Sequence, residues 1–151
     1  MQFIESLDQG KVTERYVLSG IQKKYPKAYM IDGYCKEYDI VIPELSKTVE
    51  VKQDQKSNFT GNYVIEIFMY GKPSGLIASK ADYWVFSDGK KLTWTTRDII
   101  KDTILLGGYN LVDFVGKGDT EPKKAYLIPK KDIEKSALKV VKLNDKIHRK
   151  T

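Results

Sequence analysis

The feature that most constrains this chain is the stretch EYDIVIPELSKTVEVKQD, residues 37–54. Two runs rich in β-branched residues, Tyr38–Pro43 and Thr48–Gln53, flank a turn around Glu44, Leu45 and Ser46. That is the pattern of two strands joined as an antiparallel hairpin. An even-numbered loop sets Asp39 opposite Glu50 or Lys52, and period-two alternation puts Glu50 and Lys52 on one face together with Val41. Ile40, Ile42, Val49 and Val51 then point the other way, into a core.

Two carboxylates this close repel and raise one another's pKa, so a plain core does not favour the pair. A divalent cation removes the penalty. Mg2+ is typically held by one or two carboxylates, with waters and a substrate phosphate completing its octahedron, which matches Asp39, Glu50 and the backbone carbonyl of Val51. Lys52 would then lie beside the bound water and the scissile phosphate, steadying the attacking hydroxide and the charge growing on phosphorus. The plainer reading of the same residues is a surface hairpin with an exposed Asp39 and a cross-strand Glu–Lys pair.

Composition narrows the chemistry. The one histidine, His148, lies in the charged last residues, and Cys35 is the one cysteine. A Ser/His/Asp triad, a core Cys/His pair or a histidine-based metal site would need a better-placed imidazole. A lone cysteine forms neither an internal disulfide nor a multi-cysteine zinc site, so Cys35 reads as an inert strand residue. Any hydrolysis must therefore run on carboxylates and lysines. At 151 residues, 41% hydrophobic and 30% charged, the chain is expected to form one domain, 1–151, with a real core. No run approaches the ~20 apolar residues of a membrane span, and MQFIESLDQGK lacks a signal-peptide layout; the expectation is a cytoplasmic protein with no membrane partner. The net charge of +6 leans toward a polyanion such as nucleic acid. Most of the surplus lies in the basic C-terminal segment 130–151, with eight Lys/Arg against three Asp/Glu. Either a solvated tail or a phosphate-contacting segment accounts for it.

Residues 11–25 place Val17, Leu18 and Ile21 at helical spacing, and Pro26 ends the pattern. Glu14 projects from the same apolar face, where a carboxylate needs a partner or a metal; alternatively it occupies the first turn, favours the helix dipole and faces partly to solvent. Further strands are expected at Ala28–Asp32, Tyr63–Tyr70, Ala81–Phe86, Asn110–Val115 and Lys124–Ile128. A helix is expected from the Thr95-Thr96 cap to Gly107-Gly108, and a basic helical segment after Pro129. The layout is α/β or α+β without repeats or linkers.

In order, TERYVLSGIQKKYP, EYDIVIPE and TVEVKQD resemble the PD-(D/E)XK nuclease superfamily, the restriction-endonuclease-like fold that includes Holliday junction resolvases. The likeness covers residues 11–54: a helix Glu, an Asp in a strand, a short hairpin, then Glu-x-Lys. Tyr38 stands where the motif name has Pro, a position that varies widely in the superfamily. The resemblance implies a single-domain α/β fold, a central mixed β-sheet flanked by helices. It implies Asp39 and Glu50 as metal ligands, Lys52 as the catalytic lysine, and Glu14 as a helix carboxylate that binds metal directly or through water. Mg2+ would be the cofactor, with Mn2+ able to substitute.

The expected function is thus a Mg2+-dependent endodeoxyribonuclease acting on double-stranded or branched DNA. A structure-specific enzyme is favoured because a small domain leaves little room for a sequence-reading module. A homodimer is expected because cutting both strands needs two sites. The alternative is a non-catalytic nucleic-acid-binding protein that retains the nuclease fold. Glu66, inside an apolar strand, is either a further active-site acid or an edge charge that discourages aggregation. Lys56, Asn58, Thr60 and Asn62 make a polar loop that is either a phosphate contact or an ordinary turn. Tyr83, Trp84 and Trp94 read as core residues, with stacking on unpaired bases the other use of such rings.

Overall fold

The computed structural model describes residues 2–33, 37–115 and 120–143. Cys35 and His148 lie outside them. In chain order the elements are α1 (Gln2–Gln22), β1 (Tyr29–Met30), β2 (Ile40–Ile42), β3 (Lys47–Gln53), α2 (Ser57–Thr60), β4 (Asn62–Met69), β5 (Lys72–Pro73) and α3 (Gly75–Ala78). There follow β6 (Tyr83–Ser87), β7 (Lys91–Thr95), α4 (Arg97–Gly107), β8 (Leu111–Phe114), β9 (Lys123–Pro129), α5 (Lys130–Ser136) and β10 (Lys139–Lys142).

The strands form two sheets. The first runs β1-β2-β3-β6-β7-β10 and is mixed, since β3 and β6 are parallel while its other neighbours are antiparallel. The second, β5-β4-β9-β8, is antiparallel throughout. Parallel neighbours cannot be joined by a tight turn. The chain between β3 and β6 therefore leaves the first sheet, builds β4, β5 and α3, and returns.

β6 shows how one strand serves two cores. Its Val85 packs with Val17 and Ile21 of α1, Ile40 and Ile42 of β2, Val49 of β3 and Leu92 of β7. Its Trp84 and Phe86 point the other way, into a cluster with Tyr63, Ile65 and Ile67 of β4, Ile128 of β9, Leu76 of α3, Ile100 of α4 and Ile133 of α5. Tyr63 stacks on Phe86 with ring centroids 4.8 Å apart. Each of these side chains contributes roughly 1.5–3 kcal/mol by leaving water, so the two faces of β6 hold the layers together.

The fold is α/β with a mixed central sheet, as expected, and the hairpin and α4 fall where the sequence placed them, whereas α1 spans Gln2–Gln22 in place of the expected 11–25. The N-cap of α4 is Thr96, whose Oγ1 accepts from the Ile99 amide at 3.1 Å. Its C-cap is Gly108 at φ 65, a left-handed conformation that costs a side-chain-free residue nothing. The flanking differs from expectation. Among the described residues α1 is the one helix that covers one face of the mixed sheet; the other is covered by a second sheet together with α3, α4 and α5. Two strands of the mixed sheet were also not legible. In β7 the alternation of Leu92 and Trp94 with threonines is real, but Thr95 ends the strand and only Thr96 caps the helix. In β10 the lysines mask an edge strand: α5 stops at Ser136, and Lys139–Lys142 pair with β7.

Candidate functional site

The hairpin builds the site. β2 pairs with β3 as Ile40↔Val49, Val41↔Thr48 and Ile42↔Lys47. Pro43–Leu45 makes a 3-10 turn, and Ser46 at φ 52 reverses the chain. The ladder stops at Ile40, leaving the Asp39 amide to donate to the Val49 carbonyl at 2.9 Å. The Asp39 carboxylate takes over from there: Oδ2 accepts from the Val51 amide at 2.7 Å. Asp39 is 5% exposed, so it is a buried carboxylate satisfied in part by backbone and not the exposed acid of the plainer reading.

Glu50 and Lys52 share a face, as alternation requires. In the parallel ladder Glu50 opposes Trp84 and Lys52 opposes Phe86, whereas Val49 opposes Tyr83 and Val51 opposes Val85. Both charged residues therefore lie on the side of β3 that looks toward the second sheet, and Val49 and Val51 lie on the side covered by α1. Lys52 Nζ is 3.2 Å from Glu50 Oε1 and 5.6 Å from the centroid of the Trp84 ring. The Glu50 side chain is 17% exposed and that of Lys52 44%, so the ammonium is open to solvent on one side. At that exposure the ion pair itself contributes at most about 1 kcal/mol. The pair runs along one strand and not across two.

Glu14, partly buried, lies on α1. Thr13 Oγ1, the neighbouring side chain, donates to Gln53 Oε1 at 2.5 Å, which lays this turn of α1 against the end of β3. Gln53 shares the face of Val49 and Val51, opposite to that of Glu50 and Lys52. Among the described residues no group of three or more His, Cys, Asp or Glu could hold a metal ion. Carboxylate oxygens of Asp39 and Glu50 with the carbonyl of Val51 are the hard oxygens that suit a small divalent ion keeping most of its waters.

The other candidates disperse. Glu66 lies 3.5 Å from Lys123 Nζ across the second sheet, a partner that accounts for its charge. Asn58 of α2 donates to the Asp88 carbonyl at 2.7 Å and accepts from Lys130 Nζ at 3.1 Å, and Thr60 bonds with Asn62 at the turn, so the loop is a built one; Lys56 is exposed beside it. Trp84 is buried, and Tyr83 and Trp94, partly buried, meet edge-on at 6.4 Å.

One cluster was missed. Asp88, 1% exposed, receives Lys130 Nζ at 2.8 Å on Oδ2 and the amides of Lys90 and Lys91 at 2.8 and 2.9 Å on Oδ1. Burial alone would raise this carboxyl. The bonds from Lys130 and the two amides outweigh it and hold the group below its ordinary 3.8. Burial, with Asp88 nearby, pushes the Tyr63 hydroxyl above its usual range. The signal in the sequence was SDGK, legible as a turn but silent about its partner. Elsewhere Tyr109 donates to Asp132 at 2.6 Å, and this bond pushes its hydroxyl up to about 12.

No family model, curated protein or solved structure matches the chain. The fold and site define an α/β protein in which a strand hairpin of a mixed sheet gathers a buried aspartate, a glutamate and a lysine at one place. No helix among the described residues is long and apolar enough to cross a membrane.

Proposed function

We propose that this protein is a Mg2+-dependent nuclease with a restriction-endonuclease-like core, hydrolysing DNA phosphodiester bonds with water as nucleophile. The observation that carries the reading is the Glu50–Lys52 pair at 3.2 Å on the strand whose Val51 amide binds Asp39. Asp39 and Glu50, with the Val51 carbonyl, would hold the ion. Bound there, Mg2+ supplies an acidified water and a Lewis acid for a phosphoryl oxygen. Asp39 contributes a charge whose direction is set by its bond to the backbone. Glu50 orients Lys52 while sharing the ion. Lys52 presents an ammonium to the phosphate, where it offsets the charge that grows as the phosphorus–oxygen bond forms. A homodimer belongs to the same proposal, since one site per chain cuts one strand at a time.

The rival reading, a non-catalytic nucleic-acid-binding protein, draws on the same contacts: Lys52 and the Val51 amide compensate the two carboxylates without a metal. The test is cleavage of linear, nicked, flapped and four-way DNA, with single-stranded DNA and RNA alongside, in Mg2+, Mn2+ and Ca2+. Cutting in Mg2+ and Mn2+ is expected, with binding but little turnover in Ca2+, which polarises its water less strongly. If nothing is cut while DNA is still bound, the binding-protein reading replaces the enzyme.

A further inference from the structure

We propose that Trp84 is a positioning residue for Lys52, and that Ser79 fixes Trp84 in that task. The Lys52 ammonium sits on a stem of four methylenes that is free to sweep through solvent, and 44% of the side chain is exposed. Two groups from different strands restrict it. Glu50 approaches from β3 itself at 3.2 Å, and the Trp84 ring approaches from β6, its centroid 5.6 Å from Nζ. Glu50 and Trp84 are partners in the parallel ladder, so carboxylate and ring stand side by side and address the same cation. A ring face attracts a cation through its quadrupole and, unlike a second carboxylate, adds no negative charge to a site already holding two.

The ring is fixed as well. Trp84 is 2% exposed, and Phe86 packs against it at 5.9 Å. Its indole Nε1 donates to Ser79 Oγ at 3.2 Å. Ser79 in turn accepts from the Ala81 amide at 3.2 Å through Oγ and from the Arg97 guanidinium through its carbonyl. The chain Arg97, Ser79, Trp84, Lys52 therefore runs from the first turn of α4 to the candidate site, each link a direct contact.

The consequence for rate rests on the nuclease reading; the placement of Lys52 does not. Nuclear magnetic resonance of lysine-labelled protein reads the placement directly. The ring current of Trp84 should displace the Lys52 ε-methylene resonance upfield in the wild type, Trp84→Leu should return it to the ordinary lysine position, and Trp84→Phe should retain part of the displacement. In Mg2+, kcat of Trp84→Leu should fall about 5- to 30-fold with KM within about twofold, and Trp84→Phe should recover much of it. Should Trp84→Leu not fold, Ser79→Ala serves: it keeps the ring, frees the indole N–H, and should shrink the displacement. A wild-type Lys52 resonance at the ordinary position, or one that none of these variants moves, overturns the proposal. A displaced resonance in a protein that cuts no DNA sinks the nuclease reading and leaves the hold of Trp84 on Lys52 standing.

Discussion

Asp39 and Val51 are joined by a hydrogen bond of 2.7 Å in which a side-chain oxygen accepts from a strand amide just past the last residue pair of the β2–β3 ladder. One carboxylate thereby belongs both to the fold and to the candidate site, and substitution can separate the two. Asp39→Asn keeps an oxygen for the Val51 amide and removes the charge. It should hold stability within about 1 kcal/mol and stop cleavage, and by relieving repulsion it should tighten metal-free DNA binding. Asp39→Ala should cost about 1–3 kcal/mol in addition, because the buried amide loses its acceptor. Denaturant unfolding of both variants, beside cleavage and binding assays, checks this; equal stability of the two would remove the structural role.

Lys52→Ala tests the chemistry without the fold. The side chain is 44% exposed and its pair with Glu50 is a surface one, so unfolding free energy should change by no more than about 1 kcal/mol. Cleavage in Mg2+ should fall by about 100-fold or more, the loss expected when a charge aimed at a developing oxyanion is removed. A variant that cuts at the wild-type rate would take Lys52 out of the catalytic machinery.

The pair of Asp88 and Lys130 predicts how stability depends on pH. Its bonds to Lys130 and to the amides of Lys90 and Lys91 hold the Asp88 carboxyl below its ordinary value against the opposing effect of burial. Folding therefore favours the ionised form. The contribution is complete above the ordinary aspartate value and is lost as the pH falls through the lower folded-state value. Asp88→Asn should flatten the loss of stability on acidification. Lys130→Ala should destabilise by about 3 kcal/mol at neutral pH by leaving a buried carboxylate without its cation. Urea unfolding across the acid range checks both, and an unchanged acid slope in Asp88→Asn would assign the acid sensitivity to other carboxylates.

The basic C-terminal segment includes a strand of the first sheet, β10 (Lys139–Lys142). Removing residues 140–151 would take Val140, Val141 and Lys142 out of an edge strand paired with β7, so loss of DNA binding there would report damage to the sheet. Removing 144–151, which lie outside the described residues, spares β10 and still deletes Lys146, Arg149 and Lys150. Urea unfolding of the shortened chain, measured beside the binding assay, separates a loss of stability from a loss of phosphate contacts. DNA binding should weaken, and the slope of log K against log salt should drop by up to about 2.7 if all three cations neutralise phosphates. An unaltered slope would assign the segment to solubility.

The sequence by itself determined what depends on near neighbours. Period-two alternation put Ile40, Ile42, Val49 and Val51 on one face and Glu50 and Lys52 on the other, because a strand's geometry is local. Helical spacing marked Val17 and Ile21 as the buried face of α1, and Thr96 with Gly108 bounded α4, because caps act within one turn. Only the tertiary structure decided the partners. Trp84 stands under Lys52 because β6 runs parallel beside β3 after an excursion through another sheet. Lys130 reaches Asp88 across 42 residues. Val17 and Ile21 meet Val49 because α1 packs on that face of the first sheet. Such pairings follow from how layers stack and from which orphaned donor or charge needs an acceptor once water is excluded, and neither quantity is written in any short run of residues.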